Sequence, residues 1–215
     1  MNTEFIQILL LAPPILFALS FHEFSHGYVA NQFGDPTAKM LGRLTLNPLR
    51  HLDPFGTIMI FLVHFGWAKP VPVNIYNLRN PRQDMLWIAL AGPASNMLLA
   101  LITGVLIRLI GPDNMQVYQL DLPALLKLML IFNLKINLAL AVFNLLPIPP
   151  LDGGRILRGL TPPQYDHFVD KIEAVGPMAL MGLIIFGMLT KISIFGFIIW
   201  PFVNFFSMVF AGATF

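Results

Sequence analysis

The residues of this chain best suited to chemistry are HEFSH, at positions 22–26. His22 and His26 are four apart, so on a helix they share a face and can grip one ion. Glu23 sits beside them and can reach a water on that ion. This is the H-E-x-x-H arrangement, two zinc ligands and a general base. Zinc held this way lowers the pKa of a bound water toward 7, and the carboxylate takes its proton as the water attacks a carbonyl. The plainer reading is a pair of buried histidines bonded to helix partners. Position weakens it. The stretch from 6 to 33 is otherwise oily, and unpaired polar groups in lipid are costly.

A catalytic zinc wants three protein ligands and one open position. His51, His64, His167 and several aspartates are available. Asp152, in FNLLPIPPLDGGRIL (143–157), fits best. It follows an apolar stretch that ends on the side where His22 and His26 are expected. Pro147, Pro149 and Pro150 break the helix there, and Gly153-Gly154 permit a tight path. Non-helical backbone at membrane depth is tolerated where it is buried in protein or lines a wet cavity. The alternative is an interfacial loop in which Asp152 and the glycines are ordinary turn residues. His51 and His167 fall in polar loop contexts and His64 ends a short apolar run, so none of the three is expected on the metal.

These side chains need elements to hold them. The chain is 215 residues, 56% hydrophobic and 11% charged, against about 25% charged for a soluble domain. Its mean hydropathy is +0.72. This is the composition of an integral membrane protein, so the lipid bilayer is its first partner. A net charge of +2 gives no support to a nucleic-acid partner. With no cysteine, disulfides, thiolate metal sites and a cysteine nucleophile are excluded. The N-terminal apolar run lacks a basic flank and is interrupted by Pro13-Pro14, so no cleavable signal peptide is expected.

Five stretches have about the twenty residues needed to cross a bilayer: 4–33, 84–110, 122–146, 168–190 and 192–213. The fourth is weakest, because Asp170, Lys171 and Glu173 lie in its first turns. The run 55–65 is too short to cross and suits a re-entrant or interfacial segment. GRLTLNP (42–48) and KPVPVNIY (69–76) alternate and carry prolines, which predicts extended segments, the second at a sheet edge. The fold class is therefore all-α and polytopic, with about five transmembrane helices, a re-entrant segment and a small β element. A single membrane-embedded domain over 1–215 is expected, with a core of about 4–160 and C-terminal helices over 168–213.

Lys39, Arg43, Arg50, Lys69, Arg79 and Arg82 crowd the first connection, whereas 111–121 has no Lys or Arg. The positive-inside rule then places 34–83 and 147–167 in the cytoplasm. The N-terminus faces out, and the site lies near the inner face.

HEFSH in the first span, joined to NLLPIPPLDGG, resembles the site-2 protease family of intramembrane zinc metalloproteases. The resemblance covers about residues 4–160, and it is the pairing of the motifs that is specific. It implies that His22, His26 and Asp152 bind one Zn2+ and that Glu23 activates water. It implies that Asn144 positions substrate or steadies the oxyanion. GPASN (92–96) also looks like a family element, with Asn96 as a second candidate substrate- or oxyanion-binding residue. The implied substrates are transmembrane segments of other proteins, cut in regulated intramembrane proteolysis, and the implied place is a prokaryotic plasma membrane. Against larger members of that family, no PDZ or CBS domain and no span before HEFSH are expected, so the chain looks like a minimal form.

For Asn96 interhelical glue is an equal reading, since Gly92, Ala94 and Ser95 favour close packing nearby; Asn144 precedes the broken region, which favours function over glue. A helical substrate must unwind before attack, and VPVNIY could receive it by strand addition. Two rival functions stay open: an ion transporter using His22, His26 and Asp152 as a transit site, and a non-catalytic scaffold. The sequence leaves the oligomeric state open.

Overall fold

The computed structural model describes residues 3–56, 59, 68–115 and 121–215. It comprises α1 (Thr3–Gln32), a short α2 (Thr37–Met40), α3 (Pro81–Ile110), α4 (Leu122–Asn144), α5 (Asp152–Leu160), α6 (Asp166–Thr190) and α7 (Ile194–Ala211), with 3-10 turns between several of them. Among the described residues, four stretches are long and apolar enough to cross a membrane: Pro81–Ile110, Leu122–Asn144, Pro163–Thr190 and Ile194–Ala211. The expected first span, α1, has 30 residues but is not among the four. Pro13 and Pro14 do not interrupt it. They remove two backbone donors, yet a helix among apolar neighbours tolerates this better than one in water.

The third helix is the central element. It packs on α1, α4, α5 and α7. Ala100, Ile107, Leu134, Leu138, Val203 and Ala211 form one buried cluster between α3, α4 and α7. Small residues set the approach. A Cβ on Gly104 would fall 2.5 Å from Phe210 Cβ, so glycine lets α7 close on α3. A second cluster, Ala30, Leu78 and Ile88, joins α1 to α3. Large apolar side chains such as Leu98, Ile102 and Leu109 on α3, and Phe197 and Phe205 on α7, face outward. Water would penalise such faces; lipid solvates them.

The weak fourth stretch is explained by its partners. Arg158 of α5 pairs with both Asp170 and Glu173, each at 2.5 Å. Arg82 at the start of α3 pairs with Asp166 at 2.9 Å. The carboxylates that make α6 look a poor span are thus neutralised at one end of the helix.

The expected β element reduces, among the described residues, to one antiparallel bridge between Leu52 and Ala68. Residues 42–48 run through turns and bends, and 69–74 form an irregular strap. Pro70 and Pro72 delete alternate donors, so no ladder can form through that edge. The strap is held by other means. Lys69 N–H donates to the His51 carbonyl at 2.8 Å. Arg43 Nη2 donates to the Lys69 carbonyl at 2.8 Å. Asn74 N–H donates to Asp35 Oδ2 at 2.7 Å. His64 and most of the expected re-entrant run 55–65 lie outside the described residues.

Candidate metal centre

The second half of α1 carries Ser20, His22, Glu23, Ser25 and His26. The two serines satisfy themselves, bonding the Leu16 and Phe21 carbonyls four residues back at 2.7 Å. The imidazoles instead point at α3, where GPASN crosses. A Cβ on Gly92 would overlap the rings of both His22 and His26. Only glycine lets the two helices meet at this level.

Each imidazole is oriented by its Nδ1. His26 Nδ1 lies 2.6 Å from the Ile88 carbonyl. A carbonyl can only accept, so Nδ1 carries the proton and Nε2 presents a lone pair. His22 Nδ1 lies 2.6 Å from Asn96 Oδ1. Asn96 Nδ2 donates to the Ala18 carbonyl at 3.2 Å, which fixes the amide with its oxygen toward His22. His22 therefore also protonates at Nδ1 and frees Nε2.

Asp152 is the first residue of α5. Its approach depends on the two glycines after it. A side chain on Gly153 would collide with the Leu145 and Leu146 carbonyls, and one on Gly154 would press Pro149 at 2.9 Å. The result is convergence. His22 Nε2 and His26 Nε2 are 3.0 Å apart. Asp152 Oδ2 lies 3.1 Å from the first and 3.2 Å from the second. All three residues are buried, and Asp152 Oδ2 has no hydrogen-bond partner among the described residues.

These three atoms test whether a metal fits. Both Nε2 atoms are acceptors once their Nδ1 atoms hold the protons, and a carboxylate oxygen is an acceptor too. Three lone pairs facing one another at van der Waals contact repel, and burial removes the water that would relieve them. A divalent cation between them turns repulsion into bonding. Tetrahedral zinc with bonds of about 2.1 Å sets its ligands about 3.4 Å apart, close to the spacings found. The donor set fits zinc.

Glu23 is half-buried beside this cluster. Its Oε2 accepts from Val71 N–H of the strap at 2.7 Å. Because Pro70 and Pro72 have no N–H, Val71 supplies the one donor in that stretch. The strap is itself anchored by Asp35, fully buried, which accepts from Thr37, Asn74 and Asn77. Burial alone would raise the Asp35 pKa, but hydrogen bonds from Thr37, Asn77 and Asn74 outweigh it and hold the carboxyl below its ordinary range.

His22, Glu23, His26 and Asp152 line a cavity of about 500 Å³. Pro70, Val71 and Val73 of the strap, Phe143 and Asn144 of α4, and Pro177, Leu180 and Ile184 of α6 complete its walls. Arg155 also reaches the cavity, and its side chain is exposed. Asn144 donates one amide proton to the Leu140 carbonyl at 3.0 Å.

Asn96 does not line this cavity. It is 0% exposed and lies behind His22. Its polar atoms are bound to His22, Ala18 and Asn137. His51, expected in a polar loop, is buried at 2% exposure, with Nε2 2.7 Å from the Thr45 carbonyl. It braces the strap and stands outside the metal cluster. His167 is exposed. The alternation of KPVPVNIY hides the Val71 donor, although the flanking prolines single that N–H out.

Comparison with known proteins bears on the same regions. The sequence model of Peptidase family M50 matches residues 112–186. The chain is 40% identical over 190 residues to YwhC of Bacillus subtilis strain 168, named as a candidate zinc metalloprotease, spanning 88% of this chain and 84% of that one. It is 33% identical over 144 residues to Rip2 of Mycobacterium tuberculosis, named likewise, but spans 64% of this chain and 52% of Rip2. It is 28% identical over 186 residues to the zinc metalloprotease MJ0392 of Methanocaldococcus jannaschii, spanning 82% of this chain and 43% of the relative. No solved structure matches the chain. With close to the whole length of YwhC shared at this identity, and the family signature running through Asp152, the chain belongs to peptidase family M50, the site-2 protease family that its paired motifs resemble.

Proposed function

We propose that this membrane protein is an intramembrane zinc metalloprotease in which His22, His26 and Asp152 hold one Zn2+ and Glu23 is the general base. The observation that carries the assignment is the buried trio of lone-pair atoms at 3.0–3.2 Å, with a carboxylate at its side. Zinc supplies a Lewis acid and acidifies a bound water. The chain's own groups do the rest. Val71 N–H holds Glu23 Oε2, which leaves Oε1 to receive a proton from the attacking water and pass it to the departing amine. Water adds to the carbonyl carbon, the C–N bond breaks, and the proton balance closes on the new amine. Asn144 keeps one amide N–H free of Leu140, and that N–H serves the substrate carbonyl as its charge develops. Asn96 orients His22.

The substrate is a transmembrane segment of another protein, cleaved near the inner face. Its carbonyls are bonded within its own helix and must be freed first. Val73 lines the cavity and its N–H is unpaired among the described residues, so an extended peptide can dock along the strap. Ile75 lies in a 3-10 turn and takes no part in such pairing. We place α1 as a fifth crossing, with the N-terminus outside and the metal near the cytoplasmic side of a prokaryotic plasma membrane. Arg79, Arg82, Arg155 and Arg158 gather at that end. Regulated intramembrane proteolysis, of anti-sigma factors or leftover signal peptides, is the matching biological role. Nothing in the comparisons supports the transport alternative.

The test is cleavage of a membrane-spanning peptide in proteoliposomes. Zinc-loaded wild type cleaves, and Glu23→Gln retains zinc but is slower by at least about 100-fold. Cleavage by Glu23→Gln at the wild-type rate would overturn the assignment.

A further inference from the structure

Behind the metal cluster a row of amides crosses the protein. Asn96 of α3 has two amide protons. One goes to the Ala18 carbonyl at 3.2 Å, and the other to Asn137 Oδ1 of α4 at 2.9 Å. Asn137 Nδ2 in turn donates to the Asn133 carbonyl at 2.9 Å and to Asn133 Oδ1 at 3.0 Å. Thr103 Oγ1 of α3 lies 3.0 Å from Asn133 Oδ1. Asn96 and Asn137 are both 0% exposed, on helices apolar enough to span a membrane.

The direction of every bond can be read from its fixed end. The Asn133 carbonyl only accepts, so the Asn137 amide nitrogen must face it. Asn137 then presents its oxygen to Asn96, and Asn96 must answer with nitrogen. The remaining Asn96 atom, Oδ1, is the one facing His22 Nδ1. An acceptor there keeps the proton on Nδ1 and the lone pair on Nε2. Were Asn96 reversed, its nitrogen would face His22 Nδ1, and Nε2 would carry the proton that a metal must displace.

We infer that Asn137 is a positioning residue for His22: the amide relay Asn133–Asn137–Asn96 uses the backbone of α4 to fix the histidine in its metal-binding tautomer. The inference rests on His22 being a zinc ligand. It adds a residue outside HEFSH, GPASN and the Asp152 motif, on a helix that contributes no ligand. Plain interhelical glue also places asparagines between membrane helices. Glue alone asks for no particular orientation at the metal and leaves zinc affinity untouched in the folded protein.

The experiment is zinc affinity by chelator competition on purified, detergent-solubilised full-length chain. It compares wild type, His22→Ala, Asn96→Leu, Asn137→Leu and the double variant Asn96→Leu/Asn137→Leu. Groups that orient metal ligands typically contribute about 10–100-fold in affinity. Asn137→Leu should lose about tenfold, at the low end because Ala18 still holds Asn96. Since Asn137 acts through Asn96, the double variant should bind no more weakly than Asn96→Leu. If Asn137→Leu does not fold, Asn137→Ser, too short to reach Asn96, should show the same loss. Wild-type affinity in the Asn137 variant, or a full additional loss in the double variant, overturns the relay. Retention of one tightly bound zinc by His22→Ala overturns the ligand assignment itself.

Discussion

Gly92→Ala adds one methyl group where α3 meets the two histidines. The new Cβ would lie 2.6 Å from His22 Cε1, with His26 Nε2 closer still. Carbon atoms in good contact sit about 3.5–4.0 Å apart, so the rings or the helix must give way by roughly 1 Å. Metal ligands tolerate about 0.2 Å. The strain of such overpacking is about 1–3 kcal/mol, which a folded bundle survives. The metal site does not. Zinc affinity should fall by at least about 100-fold, beyond what loss of an orienting group does, and cleavage should fall by a further factor, since a 1 Å misplacement alone can cost about 100-fold. The assay is chelator competition for zinc beside thermal unfolding of the metal-free protein. Gly182→Ala is the control, because a Cβ there meets nothing within 4 Å. If Gly92→Ala folds and binds zinc as wild type does, the tight crossing of α1 and α3 is not what holds the site, and the reasoning fails.

Val73→Pro removes a strap N–H that is unpaired among the described residues, at a position lining the cavity; cleavage of a helical membrane substrate should drop several-fold or more while zinc content stays constant, and unchanged cleavage would dismiss docking along the strap. Asp35 gives a pH dependence. Its folded pKa lies below the unfolded one, so its support of the strap is complete above about pH 3.9 and is lost as pH falls through the lower folded value. Exchange of the Asn74 amide, corrected for its intrinsic pH dependence, should rise in that acid window, and Asp35→Asn should remove the pH step. A step that persists in Asp35→Asn would assign it to another group.

The parts of this site that were legible in the sequence are those set by local spacing. Two histidines four apart share a helix face whatever surrounds them, and an aspartate after a proline-broken span has few places to go. The crossing at Gly92 was visible only as a small-residue motif, because helix approach is a property of two elements. Asn96 looked like a substrate group or glue; its contact with His22 spans 74 positions, and no periodicity encodes it. Asn137 stands four residues after Asn133 with Lys135 between them, a polar pair on one helix face whose partner on α3 the spacing does not name. His51 was misplaced because burial of a loop depends on what folds over it. KPVPVNIY had the alternation of a strand, but its prolines count for more than its pattern. They leave Val71 a single donor, and that donor goes to Glu23. The charged start of α6 argued against a span until Arg158 supplied the counter-charge from α5.

The central claim is that His22, His26 and Asp152 close on one cation, and zinc stoichiometry tests it most directly. Purified wild type should carry one zinc per chain. Asp152→Ala should lose it or bind it far more weakly, while His51→Ala and His167→Ala should keep it. A full zinc complement in Asp152→Ala, or a wild type that takes up none, would contradict the account.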